Sequence, residues 1–126
     1  MTQGPALQLY GRKKCRETQK GQRWLQERRL AFHFLDLDVK APGPAELDSL
    51  GRAVGGLEAL LDTQSDYYRK HGYAHLEFDL RAELLEHPQL LRTPVLRRSP
   101  QAVLGFEPDS WSSLTTGSAS AGSEKR

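Results

Sequence analysis

The chain has 126 residues, 37% hydrophobic and 27% charged, which fits one soluble globular domain and leaves too little material for two cores. No apolar run approaches the roughly 18 residues that span a bilayer, and the opening MTQGPALQLY lacks the basic and apolar parts of a secretory signal, so neither a membrane nor export is expected. A net charge of +2 gives no reason to expect nucleic-acid binding, and a single cysteine excludes an intramolecular disulfide, argues against a zinc site and suits a reduced, cytoplasmic setting.

Residues 1–5 read as a flexible leader. Ala6–Tyr10 is a strand by alternation, with Leu7 and Leu9 set against Gln8. It runs into the basic turn Gly11-Arg12-Lys13-Lys14 and then Cys15, after which a helical pattern extends from about Thr18 to Arg29, with Trp24 and Leu25 toward the core. Gly21 is a mild weakness in that helix. A lone cysteine can be a small buried hydrophobe. This one stands at a strand–helix junction, where unpaired N–H groups and partial positive charge favour thiolate over thiol. Arg12, Lys13, Lys14 and Arg16 add cationic charge, and Thr18 is placed to turn its hydroxyl back toward the sulfur or an N-terminal amide.

Phe32–Leu37 alternates again and reads as a second strand, with Phe32, Phe34 and either Leu35 or Leu37 buried and His33 exposed or at an edge. A strand–helix–strand order with a short return implies parallel pairing. Lys40–Pro44 is a loop, and Pro44-Ala45-Glu46 opens a helix that carries Leu47, Leu50 and Val54 and stops at Gly55-Gly56. Short helices follow at Leu57–Leu61, at Asp66–His71 with Tyr67 and Tyr68 as packing residues, and from about Asp79 to Glu86. Val95-Leu96 and Ala102–Leu104 form an antiparallel hairpin across Arg98-Ser99-Pro100-Gln101, with Pro94 at the entry, where a missing N–H is tolerated. Pro108 to about Leu114 is a last helix, and residues 115–126 have the composition of a disordered tail. The expected class is α/β: β-α-β, a helical insertion, then β-β-α on a small mixed sheet, with the domain spanning residues 6–114.

Four stretches in this order, LYGRKKC, KGQRWL, HPQLLRTPVL and the closing VLGF-x-P-x-x-W, resemble the arsenate reductase-like (ArsC/Spx) family of thioredoxin-fold proteins from about Leu7 to Leu114. The resemblance implies a thioredoxin-like fold and makes Cys15 a nucleophile that attacks arsenate or forms a mixed disulfide with glutathione, glutaredoxin or another external thiol. It makes Pro94 the family's cis-proline. Arg12, Lys14 and Thr18 are then expected to stabilise the thiolate, and Arg92, Thr93, Pro94 and Arg97 to line the thiol or oxyanion site. For a third anion ligand from the hairpin, Arg97, Arg98 or neither can serve.

The departures are as informative as the matches. Of the family's oxyanion-holding arginines, the one before the proline is Thr93 here, with Arg92 turned to the other face by the one-residue slip. Another, after a double leucine, is Asp62, and the family's histidine four residues before the cysteine is Gly11. The nucleophile is kept and the arsenate clamp is not. Thr18 replaces the second cysteine of Spx, so an Spx-type disulfide switch is excluded. The leading expectation is a monothiol oxidoreductase with no tightly bound cofactor, using a small-molecule thiol, an oxyanion or a partner protein. The alternatives are an Spx-like binding adaptor without chemistry and a phosphate- or sulfate-binding relative using the same helix N-terminus.

Overall fold

A computed structural model describes residues 7–116. The expectations for the leader at residues 1–5, for Ala6 and for the tail from residue 117 onward lie outside the described residues. The elements are β1 (Leu7–Gly11), α1 (Arg16–Glu27), β2 (Phe32–Asp36), α2 (Pro44–Val54), α3 (Leu57–Leu60), α4 (Asp66–Lys70), α5 (Leu80–Glu86), β3 (Val95–Arg98), β4 (Gln101–Leu104) and α6 (Pro108–Thr115). Two 3-10 turns, Tyr73–His75 and Pro88–Leu90, were not expected from the sequence. The sheet order is β2-β1-β3-β4, with β1 parallel to β2 and antiparallel to β3, and β3 antiparallel to β4.

The alternation within β1 and β3 sorts the core onto two faces. Leu7, Leu9 and Leu96 point to one side, where they meet Trp24 and Leu25 of α1 and Trp111 and Leu114 of α6. Tyr10 and Val95 point to the other, toward a cluster built by the insertion: Leu47, Leu50, Leu60, Tyr73, Leu84, Leu90 and Leu91. β2 is an edge strand, so Phe32 and Phe34 are only half-buried, while Leu37, just beyond the strand, is fully covered. His33 is exposed, and Tyr67 and Tyr68 pack beside Tyr73.

Several boundaries differ from the sequence reading. α1 begins at Arg16 rather than Thr18, because Cys15 itself takes the N-cap position, and the Gln19 amide bonds the Cys15 carbonyl at 3.0 Å. It stops two residues early: Arg29 adopts a left-handed φ of 57°, and Leu30 N–H reaches back to the Leu25 carbonyl at 3.0 Å. That is a Schellman closure with an arginine where glycine is usual. The hairpin strands extend through Arg98 and Gln101, which pair with each other and leave Ser99-Pro100 as the turn. α6 runs on to Thr115, so that residue is helical rather than the start of a tail. No helix among the described residues is long and apolar enough to cross a membrane.

Gly21 is a packing requirement and not merely a weak point of α1. A Cβ there would lie 2.4 Å from Trp111 Cη2. The indole cannot give way: it is fully buried, edge-on to Trp24 and Phe106, and tied through Nε1–H to the Gly105 carbonyl at 2.9 Å. Gly21→Ala therefore sets an overpacking cost of about 1–3 kcal/mol against a helix-propensity gain of about 1 kcal/mol. The expected outcome is a lower melting temperature by circular dichroism, where propensity alone would raise it.

Candidate functional site

The site lies where β1 ends, α1 begins and β3 is entered. Gly11 closes β1, and its missing side chain is what allows α1 to come this near: a Cβ would stand 2.4 Å from Thr18 Cγ2 and 2.6 Å from its Oγ1. Thr18 is fully buried, and its hydroxyl accepts from the Arg12 amide at 3.4 Å. The Cys15 amide donates to the Arg12 carbonyl at 3.0 Å, which closes the turn between strand and helix. Gln19 Nε2 donates to the Lys13 carbonyl at 2.7 Å and fixes the rest of the turn.

Cys15 is partly exposed, and its Sγ stands 3.7 Å from the Thr93 carbonyl oxygen. Thr93 precedes Pro94 across a cis peptide bond, the geometry implied by the family resemblance. Burial pushes the Cys15 thiol up, but the Thr18 and Thr93 side chains and the amides of Thr18 and Glu17 favour the anion and bring it below its ordinary value. These amides are the free donors of a helix N-terminus. In the neutral form the thiol makes no cap hydrogen bond with them. The Thr93 carbonyl can only receive the proton of the thiol, so on ionisation the hydroxyls and amides are the partners that remain.

The structure thus brings together Cys15, Thr18, Thr93, Pro94 and Arg12. The basic turn contributes less than its sequence suggests: Lys13, Lys14 and Arg16 point to solvent, and Lys14 forms no hydrogen bond or ion pair with the described residues. Arg12 is different. Its Nη1 donates to the Leu91 carbonyl at 2.9 Å and toward Thr93 Oγ1 at 3.4 Å, its Nη2 donates to the Pro88 carbonyl, and its Nε pairs with Asp38 at 3.5 Å. Only 18% of its side chain is exposed.

Arg92 and Arg97 stand apart from this group. Arg92 is exposed on the side chain while its amide bonds the Leu60 carbonyl at 2.8 Å. Asp62 lies in the neighbouring strand-like segment, where Leu61 bridges Leu91. Arg97 faces the insertion, with Nη1 donating to Tyr10 Oη at 3.1 Å, Nη2 to Ser49 Oγ at 2.9 Å and Nε to Ser99 Oγ at 2.9 Å. Tyr10 in turn donates to Glu46 Oε2 at 2.5 Å. Burial first, then the bond to Glu46, pushes the Tyr10 phenol up to about 12, so a neutral hydroxyl separates Arg97 from its counter-charge. Arg98 is likewise engaged, donating to the Leu114 carbonyl at the end of α6 at 3.1 Å. A cavity of about 240 Å³ beside Tyr10 and Glu46 is lined also by Asp36, Leu37 and Lys40. Among the described residues no three His, Cys, Asp or Glu side chains gather as metal ligands.

Comparison with known proteins agrees with this architecture. A search among curated proteins finds no match. Among solved structures, an ArsC family related protein from Bacteroides fragilis superposes with a TM-score of 0.79 at 19% identity, over 89% of this chain and 99% of that one. An arsenate reductase from Vibrio cholerae gives 0.73 at 20% identity, covering 86% and 96%. An arsenate reductase (ArsC) related protein from Brucella melitensis gives 0.65 at 23% identity, covering 88% and 95%. At these identities the likeness establishes the shared thioredoxin-like fold. The ArsC family model matches residues 10–114, from the end of β1 through α6, and the chain belongs to the ArsC family.

Proposed function

We propose that the protein is a monothiol oxidoreductase in which Cys15 attacks a disulfide. The observation that carries this reading is a partly exposed thiol at the N-cap of α1, over a buried threonine hydroxyl and 3.7 Å from the residue before a cis-proline. The Cys15 thiolate attacks one sulfur of a disulfide R–S–S–R; the Cys15–S–R bond forms, the S–S bond breaks, and RS⁻ leaves and takes a proton from water. An external thiolate such as glutathione then attacks the Cys15–S–R bond, forms the new disulfide with R and returns Cys15 as thiolate. With one cysteine in the chain, the second thiol must come from outside. Glutathione or glutaredoxin is the proposed donor, bound transiently, and the proposed location is the cytoplasm.

Arsenate is not the proposed substrate of this site. Asp62 and Thr93 occupy two of the positions where the family pattern has arginines, and Arg12 and Arg97 spend their donors on carbonyls and hydroxyls of the chain itself. A second reading is a binding adaptor that docks a protein through its basic face, where Lys13, Lys14 and Arg16 are exposed, and performs no chemistry.

The rate of Cys15 alkylation by iodoacetamide against pH separates the two. For the oxidoreductase, the profile should titrate below the free-cysteine value of ~8.5. Thr18→Val should shift the profile upward and slow labelling at neutral pH roughly tenfold, since a hydrogen bond to a charged group contributes about 1.5–3 kcal/mol. Lys14→Ala should move it far less than Thr18→Val, because the Lys14 side chain lies in water and bonds none of the described residues. Labelling that follows a free thiol would leave the adaptor reading. Stability should show the linked effect. A thiol that titrates lower when folded adds stability at pH values above the unfolded pKa, and loses it as pH falls through the folded value. Denaturant melts of Cys15→Ser should lack that step. In turnover assays a glutathione mixed disulfide should be reduced, Cys15→Ser should be inactive, and arsenate should give no rate above Cys15→Ser.

A further inference from the structure

Arg12 stands in an unusual place for a residue of a basic turn. Its backbone belongs to the thiol loop: the carbonyl holds the Cys15 amide at 3.0 Å, and the amide reaches Thr18 Oγ1 at 3.4 Å. Its side chain belongs to the opposite wall, bonding the carbonyls of Pro88 and Leu91 and approaching the Thr93 hydroxyl at 3.4 Å. The wall it grips is a short irregular segment. The 3-10 turn Pro88–Leu90 is followed by Leu91; the Arg92 and Asp62 amides bond the Leu60 and Leu90 carbonyls, and Leu90 and Leu91 are buried in the insertion's core, while Thr93 follows this anchored stretch. No strand ladder supports Thr93, because β3 begins only at Val95.

We propose that Arg12 is a positioning residue, whose guanidinium fastens the loop carrying Cys15 to the segment presenting Thr93 and so fixes the Thr93 groups against the sulfur. This rests on the reading of Cys15 as the nucleophile. It differs from the role expected of a basic neighbour, which is to stabilise the thiolate by charge alone. The geometry favours fastening: the positive charge already faces Asp38 at 3.5 Å, and the flat fork meets acceptors on residues 88, 91 and 93 together. A lysine supplies the same charge but only a compact ammonium, which cannot span those acceptors.

The test uses the full chain and iodoacetamide as the probe, with wild type, Arg12→Lys, Arg12→Ala, Thr93→Val and the combined variants. The wild-type profile comes first: free-thiol behaviour there overturns the nucleophile reading and this one with it. Given a low wild-type profile, Arg12→Lys and Arg12→Ala should both move it to higher pH and slow neutral labelling severalfold. Adding Thr93→Val to either should cost little more, because both changes remove the same contact. Wild-type labelling in Arg12→Lys would mean charge suffices and would overturn the proposal. So would variants that melt lower yet keep the wild-type pH profile, and so would losses that simply multiply in the combined variants. Should Arg12→Ala fail to fold, Arg12→Lys and its combination with Thr93→Val carry the same test.

Discussion

The contact between Thr18 and Gly11 sets the geometry of the whole site. Thr18 occupies the volume that any side chain at position 11 would need, so the first turn of α1 lies directly on the end of β1. That contact decides where the free amides of the helix point and how near the hydroxyl comes to the sulfur one turn earlier. It also accounts for a departure from the family pattern. A histidine at position 11 and a buried threonine at position 18 would compete for the same space, so the glycine and the threonine belong together. The bare position 11 leaves the room that the side chain seven positions along fills.

A second constraint comes from the far wall. Cys15 and Thr93 are nearly eighty residues apart in sequence, and their meeting depends on antiparallel pairing of β1 with β3, where Tyr10 stands opposite Val95. The insertion makes that pairing possible by covering the second face of the sheet, and it also fixes the route into β3 through the Leu61–Leu91 bridge. The chemistry proposed for Cys15 is therefore assembled from a local feature, the helix cap, and a distant one, the residue before a cis-proline. Neither would suffice alone: a helix N-terminus polarises the sulfur, while the opposite wall determines what can approach it.

Much of this could be read in the sequence because it is written in local patterns. The alternation of Leu7 and Leu9, the prolines at 44, 94 and 108, and the glycine pair at 55–56 each act within a few residues of themselves, and the elements fall nearly where those signals put them. The failures have a common physical cause, which is that side-chain direction depends on the tertiary partner. Arg12, Lys14, Arg92 and Arg97 look alike in sequence as cations near a thiol or near a hairpin. The fold sends Arg12 inward onto backbone carbonyls, leaves Lys14 and Arg92 in water, and commits Arg97 to Tyr10 and Ser49. Strand parity alone would have put Arg97 on the face of Tyr10 once its register with Gln8 was known, and that register is a long-range fact. Gly21 is the reverse case. Read locally it weakens a helix, and only the arrival of Trp111 from α6 shows why nothing larger fits.

The partition of the core has a further consequence, in optics. Both tryptophans of the chain, Trp24 and Trp111, lie on the α1/α6 side of the sheet, edge-on to one another at 5.8 Å. All four tyrosines, Tyr10, Tyr67, Tyr68 and Tyr73, lie on the insertion side. Indole and phenol signals therefore report separately on the two layers. If the molecule unfolds as one unit, the two chromophores lose their native signals together; a gap between the curves would mean that the helical insertion lifts from the sheet while the α1/α6 layer stays closed.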